Sequence, residues 1–309
     1  VRDYELRAAR SRRNRRFDDD DPQFLKGGRL GPPPDAESDP DAPAEGDRWS
    51  TWDLSAAGER GPAPHPEWLV TDLAAVDTEL GVLKTGKEAD VHLVRRAVPG
   101  TDRSCLLAAK RYRDPEHRLF HRDAGYLEGR RTRRSRENRA MARRTAFGRQ
   151  VIAGQWAYAE FGALCRLWEL GVELGAITVP YPVQVLGTEL LLEFVGNAES
   201  GRAAPRLAQL RPDPAGLADL WRQLVDSMVV LARAGLAHGD LSAYNLLVHD
   251  GRLVLIDLPQ VVDVVANPQG REFLIRDVRV VSDWFAARGL SDADPDALTR
   301  DLLAEAGIR

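Results

Sequence analysis

Three polar side chains in the last third of this chain have the types and spacing for one kind of chemistry. His238-Gly239-Asp240-Leu241-Ser242-Ala243-Tyr244-Asn245 is followed by the apolar run Leu253-Val254-Leu255-Ile256 and then by Asp257. The pattern is H-x-D-x-x-x-x-N, a strand, and a second Asp. A loop of that spacing can aim the Asp240 carboxylate at an attacking hydroxyl or water while Asn245 turns back. The Asn245 amide and the Asp257 carboxylate offer the oxygen ligands that Mg²⁺ takes when it sits on a nucleotide's phosphates. His238 reads as a packing and hydrogen-bonding member of the loop, not as a base.

Upstream residues supply the complementary parts in order. Lys110 closes the apolar strand Leu106-Leu107-Ala108-Ala109, which resembles the V-A-I-K strand of kinases. Such a lysine pairs with α/β-phosphate oxygens and is held by a glutamate from the next helix. Glu160, within Trp156-Ala157-Tyr158-Ala159-Glu160-Phe161, is the natural partner. Lys26, Lys84, Lys87 and Lys110 are the only lysines. Arginine does the remaining basic work, as coding bias in a GC-rich genome would give, so a lysine kept at position 110 stands out.

Two weaker signals flank these. Gly81 to Glu88 nearly spells a Walker A loop, but Glu88 replaces the Ser/Thr that would bind Mg²⁺. The residues after it alternate like a strand instead of opening a helix. What remains is a hairpin turn, Thr85-Gly86-Lys87, at which Gly86 lets backbone N–H groups approach phosphates or simply turns the chain. Glu193-Phe194-Val195-Gly196 follows Leu190-Leu191-Leu192. It is either a hinge whose backbone groups read an adenine edge, or a plain exit from a strand.

The elements that must position these groups define the organisation. Residues 1–65 read as a mostly disordered tail, with a basic run (Arg10 to Arg16), an acidic run (Asp18 to Asp21) and a Pro/Asp/Gly-rich stretch. Trp49 and Trp52 depart from that polarity and are suited to docking on the folded domain or on a partner. An N-lobe over about 66–194 begins with a short helical segment, Glu67 to Thr78. A hairpin and the strand Cys105 to Tyr112 follow, then an arginine-rich stretch that includes Arg130, Arg131, Arg133 and Arg134. A helix over Gln150 to Leu170 and a second hairpin, Val183 to Leu186 with Glu189 to Phe194, complete this lobe. A C-lobe over about 197–309 contains a long helix with Leu217, Leu220, Leu224 and Leu231 on one face. A hairpin around Asp250-Gly251 and helices over about Gly270 to Ala287 and Pro295 to Ala306 close the chain. The fold class is α+β: a two-lobed, protein-kinase-like fold with a small antiparallel sheet and a reduced, mainly helical C-lobe. Asp257-Leu258-Pro259-Gln260 replaces D-F-G and no A-P-E follows, so no activation loop is expected.

The length of 309 residues suffices for two lobes with a buried core. A net charge of −4 excludes a molecule that binds nucleic acid by bulk electrostatics. Cys105 and Cys165, the only cysteines, exclude a disulfide framework or a zinc cluster and suit a reducing cytoplasm. No apolar run approaches a membrane span and no signal peptide is visible, so a cytoplasmic location without membrane contact is expected.

Taken together, the chain resembles the RIO family of atypical serine kinases and ATPases from about Leu80 onward. It is most similar to the subfamily with S-T-G-K-E-A, H-x-D-L-S-x-Y-N and I-D-x-x-Q signatures. The corresponding residues are Lys84 to Ala89, His238 to Asn245, and Ile256 to Gln260. The resemblance implies Asp240 as catalytic base, Asn245 and Asp257 as metal ligands, and Lys110 as the phosphate-binding lysine. It also implies Glu193 and Val195 as backbone contacts to adenine, and a flexible loop at about 115–149. ATP and Mg²⁺, with Mn²⁺ as an alternative metal, would serve transfer of the γ-phosphoryl group to Ser/Thr of an unidentified protein substrate or of the chain itself. Two other readings stay open: an ATPase switch controlling contact with RNA or a ribonucleoprotein through the arginine stretch, and a small-molecule kinase of aminoglycoside or choline type. Lys84 stands where the family has Ser, and Pro259 where Ser is common.

Overall fold

Leu106 to Ala109 and Leu190 to Leu192 are apolar at every position, the pattern of strands covered on both faces. The computed structural model, which describes residues 43–113 and 146–308, shows both covers. A six-stranded antiparallel sheet has the order β1-β2-β3-β4-β6-β5. Its strands are β1 (Arg48–Trp49), β2 (Val76–Thr85), β3 (Ala89–Ala97), β4 (Ser104–Tyr112), β5 (Pro182–Leu186) and β6 (Glu189–Glu193). Directly opposed residues share a face. Lys84, Val91, Lys110 and Leu190 form one such row across four strands.

The face carrying Ala89, Tyr112 and Leu190 packs on helix α1 (Ala146–Leu174) through Ala153, Ala157, Phe161 and Leu164. The opposite face, with Val94, Leu107, Ala109, Val183 and Leu191, is covered by Trp52, Leu69, Val70 and Ala75. The second cover therefore comes from residues ahead of β2. It forms a strap tied to both sides of the sheet: β1 pairs with β2, Arg60 bridges to Gln184, and the Gly61 N–H donates to the Val183 carbonyl at 2.9 Å. Trp52 is buried in it. Ordered structure thus begins well ahead of position 66. The helix expected over Glu67 to Thr78 is absent: residues 67–74 are turns and irregular chain, and Val76 already pairs with Trp49 and Ala97. Leu69, Val70 and Ala75 are committed to the back of the sheet, and that requirement overrides helical spacing.

α1 ends at Gly175, whose φ of +67° and N–H bond to the Gly171 carbonyl (2.8 Å) make a glycine stop. The remainder is mainly helical, with α2 (Pro214–Arg233), α3 (Gly270–Ala286) and α4 (Pro295–Glu305). Asp213 caps α2 and Asp294 caps α4, each just before a proline in the first turn. Short strand pairs lie between the helices: β7 (Gly196–Asn197) with β8 (Arg202–Ala203), β9 (Leu236–Ala237) with β12 (Val262–Asp263), and β10 (Leu246–His249) with β11 (Arg252–Leu255). Only residues 258–269 separate Asp257 from α3, which leaves no room for an activation loop. The architecture is the two-lobed α+β kinase-like fold with a reduced C-lobe. No helix among the described residues is long and apolar enough to cross a membrane.

Candidate active site

The buried stripe of α1 runs Ala153, Ala157, Glu160, Leu164, Leu167. A carboxylate at the centre of an apolar stripe must be paired, and Glu160 has three partners. Lys110 Nζ lies 2.8 Å from each of its oxygens, the Tyr112 hydroxyl donates to Oε2, and the Leu258 N–H donates to Oε1 at 3.1 Å. Lys110 Nζ also donates to Asp257 Oδ1 at 2.7 Å. Residues 50 and 147 positions apart from Lys110 thus converge on its ammonium.

Charge states follow from this packing. Burial works against the Lys110 ammonium, but the Asp257 and Glu160 carboxylates outweigh it and hold the lysine well above its ordinary pKa. The Lys110 charge, opposed by burial, holds the Asp257 carboxyl down to about 2. Burial and then the Glu160 charge push the Tyr112 phenol well up, so it stays a donor. Asp257 has φ +66°, the left-handed region that Asp tolerates better than most residues. The next residue, Leu258, is fully buried with its N–H fixed by Glu160, which pins that turn.

The loop carrying Asp240 lies against the Asp257 loop because β9 and β12 pair on either side. At Gly239 (φ +85°) a Cβ would lie 2.2 Å from the Gln260 carbonyl oxygen, so no other residue fits between His238 and Asp240. Buried His238 accepts the Asp240 N–H at Nδ1 (3.3 Å), which leaves Nε2 to donate to the Ile256 carbonyl (3.1 Å). It ties the two loops together, as a packing role requires. Asn245 Nδ2 donates to the Asp240 carbonyl at 2.9 Å, and the Asn245 carbonyl accepts the Ile256 N–H at 3.0 Å. With its nitrogen so used, the ligand Asn245 can offer a cation is its side-chain oxygen.

That donor set fits Mg²⁺. It is all oxygen, and the Lys110 cluster sets two carboxylates against one ammonium. No group of three His, Cys, Asp or Glu side chains converges as a metal cage among the described residues. Mg²⁺ characteristically needs no such cage, since water and substrate phosphates complete its shell.

Two residues of the site escaped the sequence reading. Asp277 of α3, buried between Leu274 and Val278, accepts the Gly239 N–H at 2.7 Å and the Leu241 N–H at 3.0 Å. Burial pushes its carboxyl up, against the pull of His238 and those N–H bonds. Its neighbour Arg276 donates from Nη2 to the Gly239 carbonyl and to Asp240 Oδ1 at 3.2 Å. The available signal was a second acid inside an apolar helical stripe.

Other expected site residues are placed but not joined to this cluster by any hydrogen bond or ion pair among the described residues. Thr85 and Lys87 stand exposed at the β2–β3 turn. The Gly86 N–H is spent inside that turn on the Ala89 carbonyl (3.0 Å), a use other than the phosphate approach expected of it. A Cβ there would lie 2.8 Å from the same oxygen, which explains the glycine. Lys84 shares the sheet row of Lys110, and its charge contributes to holding Asp257 down. At the hinge, the Glu193 N–H donates to the Tyr181 carbonyl and the Val195 carbonyl accepts from Ala204, both at 2.9 Å. The stretch with Arg130, Arg131, Arg133 and Arg134 lies outside the described residues.

The RIO domain family model matches residues 117–298, more than half of the chain. That range holds Glu160, Asp240, Asn245 and Asp257 but neither Lys110 nor the β2–β3 turn. The chain is 36% identical over 233 residues to the RIO-type serine/threonine-protein kinase Rio1 of Haloferax volcanii, covering 75% of this chain and 71% of that protein. It is 31% identical over 150 residues to the Rio1 of Thermoplasma acidophilum, 48% of this chain and 73% of that one. Against the serine/threonine-protein kinase RIO1 of Chaetomium thermophilum it is 34% identical over 143 residues, 44% of this chain and about a quarter of that longer protein. With its two lobes, its Lys110–Glu160–Asp257 cluster and its loop around Asp240, the chain belongs to the RIO family of serine/threonine-protein kinases.

Proposed function

We propose that this protein transfers the γ-phosphoryl group of ATP to a Ser or Thr hydroxyl, its own or that of a protein substrate, with Mg²⁺ held by Asn245 and Asp257. The observation that carries the reading is the convergence of Lys110, Glu160 and Asp257 beside the loop of Asp240. When bound, Mg²⁺ neutralises charge on the β- and γ-phosphates. The residues of the chain do the rest by positioning and electrostatics. Lys110, kept charged by two carboxylates, meets α/β-phosphate oxygens. Glu160 keeps it in place and at the same time fixes the Leu258 amide. Asn245 turns its side-chain oxygen to the metal because its nitrogen is committed to Asp240. Asp240 orients the acceptor hydroxyl and takes its proton as the new O–P bond forms and the bond from Pγ to ADP breaks. Thr85 and Lys87 meet the phosphates from the β2–β3 turn, and Glu193 and Val195 meet adenine by backbone groups.

The test uses γ-labelled ATP, Mg²⁺ and purified protein, with free phosphate separated from phosphoprotein. Label should appear in protein, and Asp240→Ala should lose it while still binding nucleotide. An Asp240→Ala variant as active as the native protein would refute the assignment. Free phosphate without phosphoprotein would favour an ATPase.

A further inference from the structure

Two adjacent residues of α3 grip the Asp240 loop from opposite ends of one residue, Gly239. Asp277 takes the Gly239 N–H, and Arg276 takes the Gly239 carbonyl. Only Arg276 goes on to the reacting side chain: the same Nη2 that holds the Gly239 carbonyl lies 3.2 Å from Asp240 Oδ1. The Asp240 side chain is 42% exposed and that of Arg276 40%, so burial does not immobilise this carboxylate. The peptides around it are fixed by Asp277, by His238 and by the Asn245 amide, and Arg276 bonds to the carboxylate itself. A solvent-facing carboxylate has several rotamers within reach, and transfer requires the one that faces the acceptor hydroxyl. The Arg276 guanidinium is itself steadied by the Phe273 ring, 5.6 Å from its centroid, one turn back on α3.

We infer that Arg276 is a positioning residue for transfer, holding the Asp240 carboxylate in one orientation by binding Oδ1 and the preceding carbonyl with a single nitrogen. This rests on the proposed role of Asp240. The oxygen held by the arginine is Oδ1. A single cationic nitrogen makes both contacts, so a lysine can reproduce them and a neutral short side chain cannot.

The experiment measures single-turnover phosphoryl transfer and ATP affinity for native protein, Arg276→Ala, Arg276→Lys, Asp240→Ala and the Asp240→Ala/Arg276→Ala double variant. Arg276→Ala should slow transfer on the order of 10²-fold, the scale lost when a reacting group is misplaced by about 1 Å. ATP affinity should stay within about twofold, and Arg276→Lys should recover most of the rate, since an ammonium can make both charge-assisted bonds. The double variant should be no slower than Asp240→Ala, because the arginine acts through that carboxylate. The inference is overturned if Arg276→Ala keeps the native rate, or if ATP affinity falls in step with rate. It is equally overturned if lysine restores nothing, or if removing Arg276 slows Asp240→Ala as much as it slows the native protein. A fast Asp240→Ala variant would instead remove the proposed function beneath it, whereas a slow Asp240→Ala beside a fast Arg276→Ala removes the arginine's role alone.

Discussion

The sheet carries a buried ion cluster on each face, and the two are built to opposite rules. On the back, Arg96 is fully buried and meets Asp77 twice, at 2.7 and 3.0 Å, and Gln184 at 3.0 Å. Gln184 passes its own N–H bonds to Thr51 and Ser55 of the strap, at 2.8 and 3.1 Å. Arg96 and Asp77 at its centre are both sealed from water, and the partly exposed Arg48 adds a longer contact to Asp77 at 3.6 Å while pairing with Glu189 at 2.6 Å, so charges there match two for two. On the front, one ammonium serves Glu160 and Asp257, and the Asp257 side chain is 40% exposed. A closed, matched cluster can only hold the fold. An open one with a surplus carboxylate has an unfilled electrostatic demand, which a cation can meet.

The sharpest way to break that contrast is to remove one carboxylate from the front. Asp257→Ala should reduce phosphoryl transfer by on the order of 10²–10³-fold, the scale of losing one preorganised charge contact. Thermal stability should move little, because Lys110 keeps Glu160. Retained transfer with a collapsed melting temperature would make the front cluster structural, like the back.

The reciprocal change comes next in size. Arg96→Met leaves Asp77, 1% exposed, with only the longer 3.6 Å contact to Arg48, and should cost ~3 kcal/mol in urea unfolding. The folded fraction should keep its ATP affinity. Adding Asp77→Asn should return much of the loss, since the poorly paired charge is then gone. A double variant as unstable as the single one would show that the pair does more than balance charge.

Acid titration compares the clusters more gently. Lys110 holds the Asp257 carboxyl down to about 2 from an ordinary 3.8. A carboxylate depressed in the folded state stabilises fully above its unfolded value and loses that contribution as pH falls through the folded value. The window is therefore pH about 4 to 2. Exposure screens the pair, so the contribution should not exceed ~1 kcal/mol. Native protein should lose stability more steeply than Asp257→Asn across that window, and equal slopes would remove the Lys110–Asp257 contact from the folded state in solution.

The front cluster was legible in sequence because its residues are chemically unusual for where they fall: a lysine closing an apolar strand, a carboxylate after another, an H-x-D-x-x-x-x-N loop between helices. Local signals also found α1 to α4, with Asp213 and Asp294 capping as the Pro-led helix starts require. The strap was not legible as such. Trp52 sits in a Pro- and Asp-rich stretch whose composition reads as tail, and its burial depends on a sheet face that forms elsewhere in the chain. The clue lay in β4 and β6, apolar on both faces and so in need of a second cover. Arg276 and Asp277 were hidden for a related reason. Their partners are backbone groups of Gly239 and Leu241, and a backbone group leaves no mark in side-chain patterning.

The smallest effect concerns one of the two residues that depart from the family signature. Lys84 opposes Val91 and Val91 opposes Lys110, so both lysines lie on the cleft face of the sheet. Two strand spacings separate them, about 10 Å. Cations so spaced can attend different phosphates of one triphosphate, which a serine at 84 would do only through a hydroxyl. Lys84 is exposed, and an exposed charge contact is worth ~0.5–1 kcal/mol. Lys84→Ser should then weaken ATP about two- to fivefold, leave adenosine unchanged, and lose its effect as salt screens the contact. Equal weakening of ATP and adenosine would mean that Lys84 acts by shaping the β2–β3 hairpin. An unchanged ATP affinity would mean that Lys84 makes no phosphate contact and that the cationic side of the cleft is left to Lys110 and Lys87.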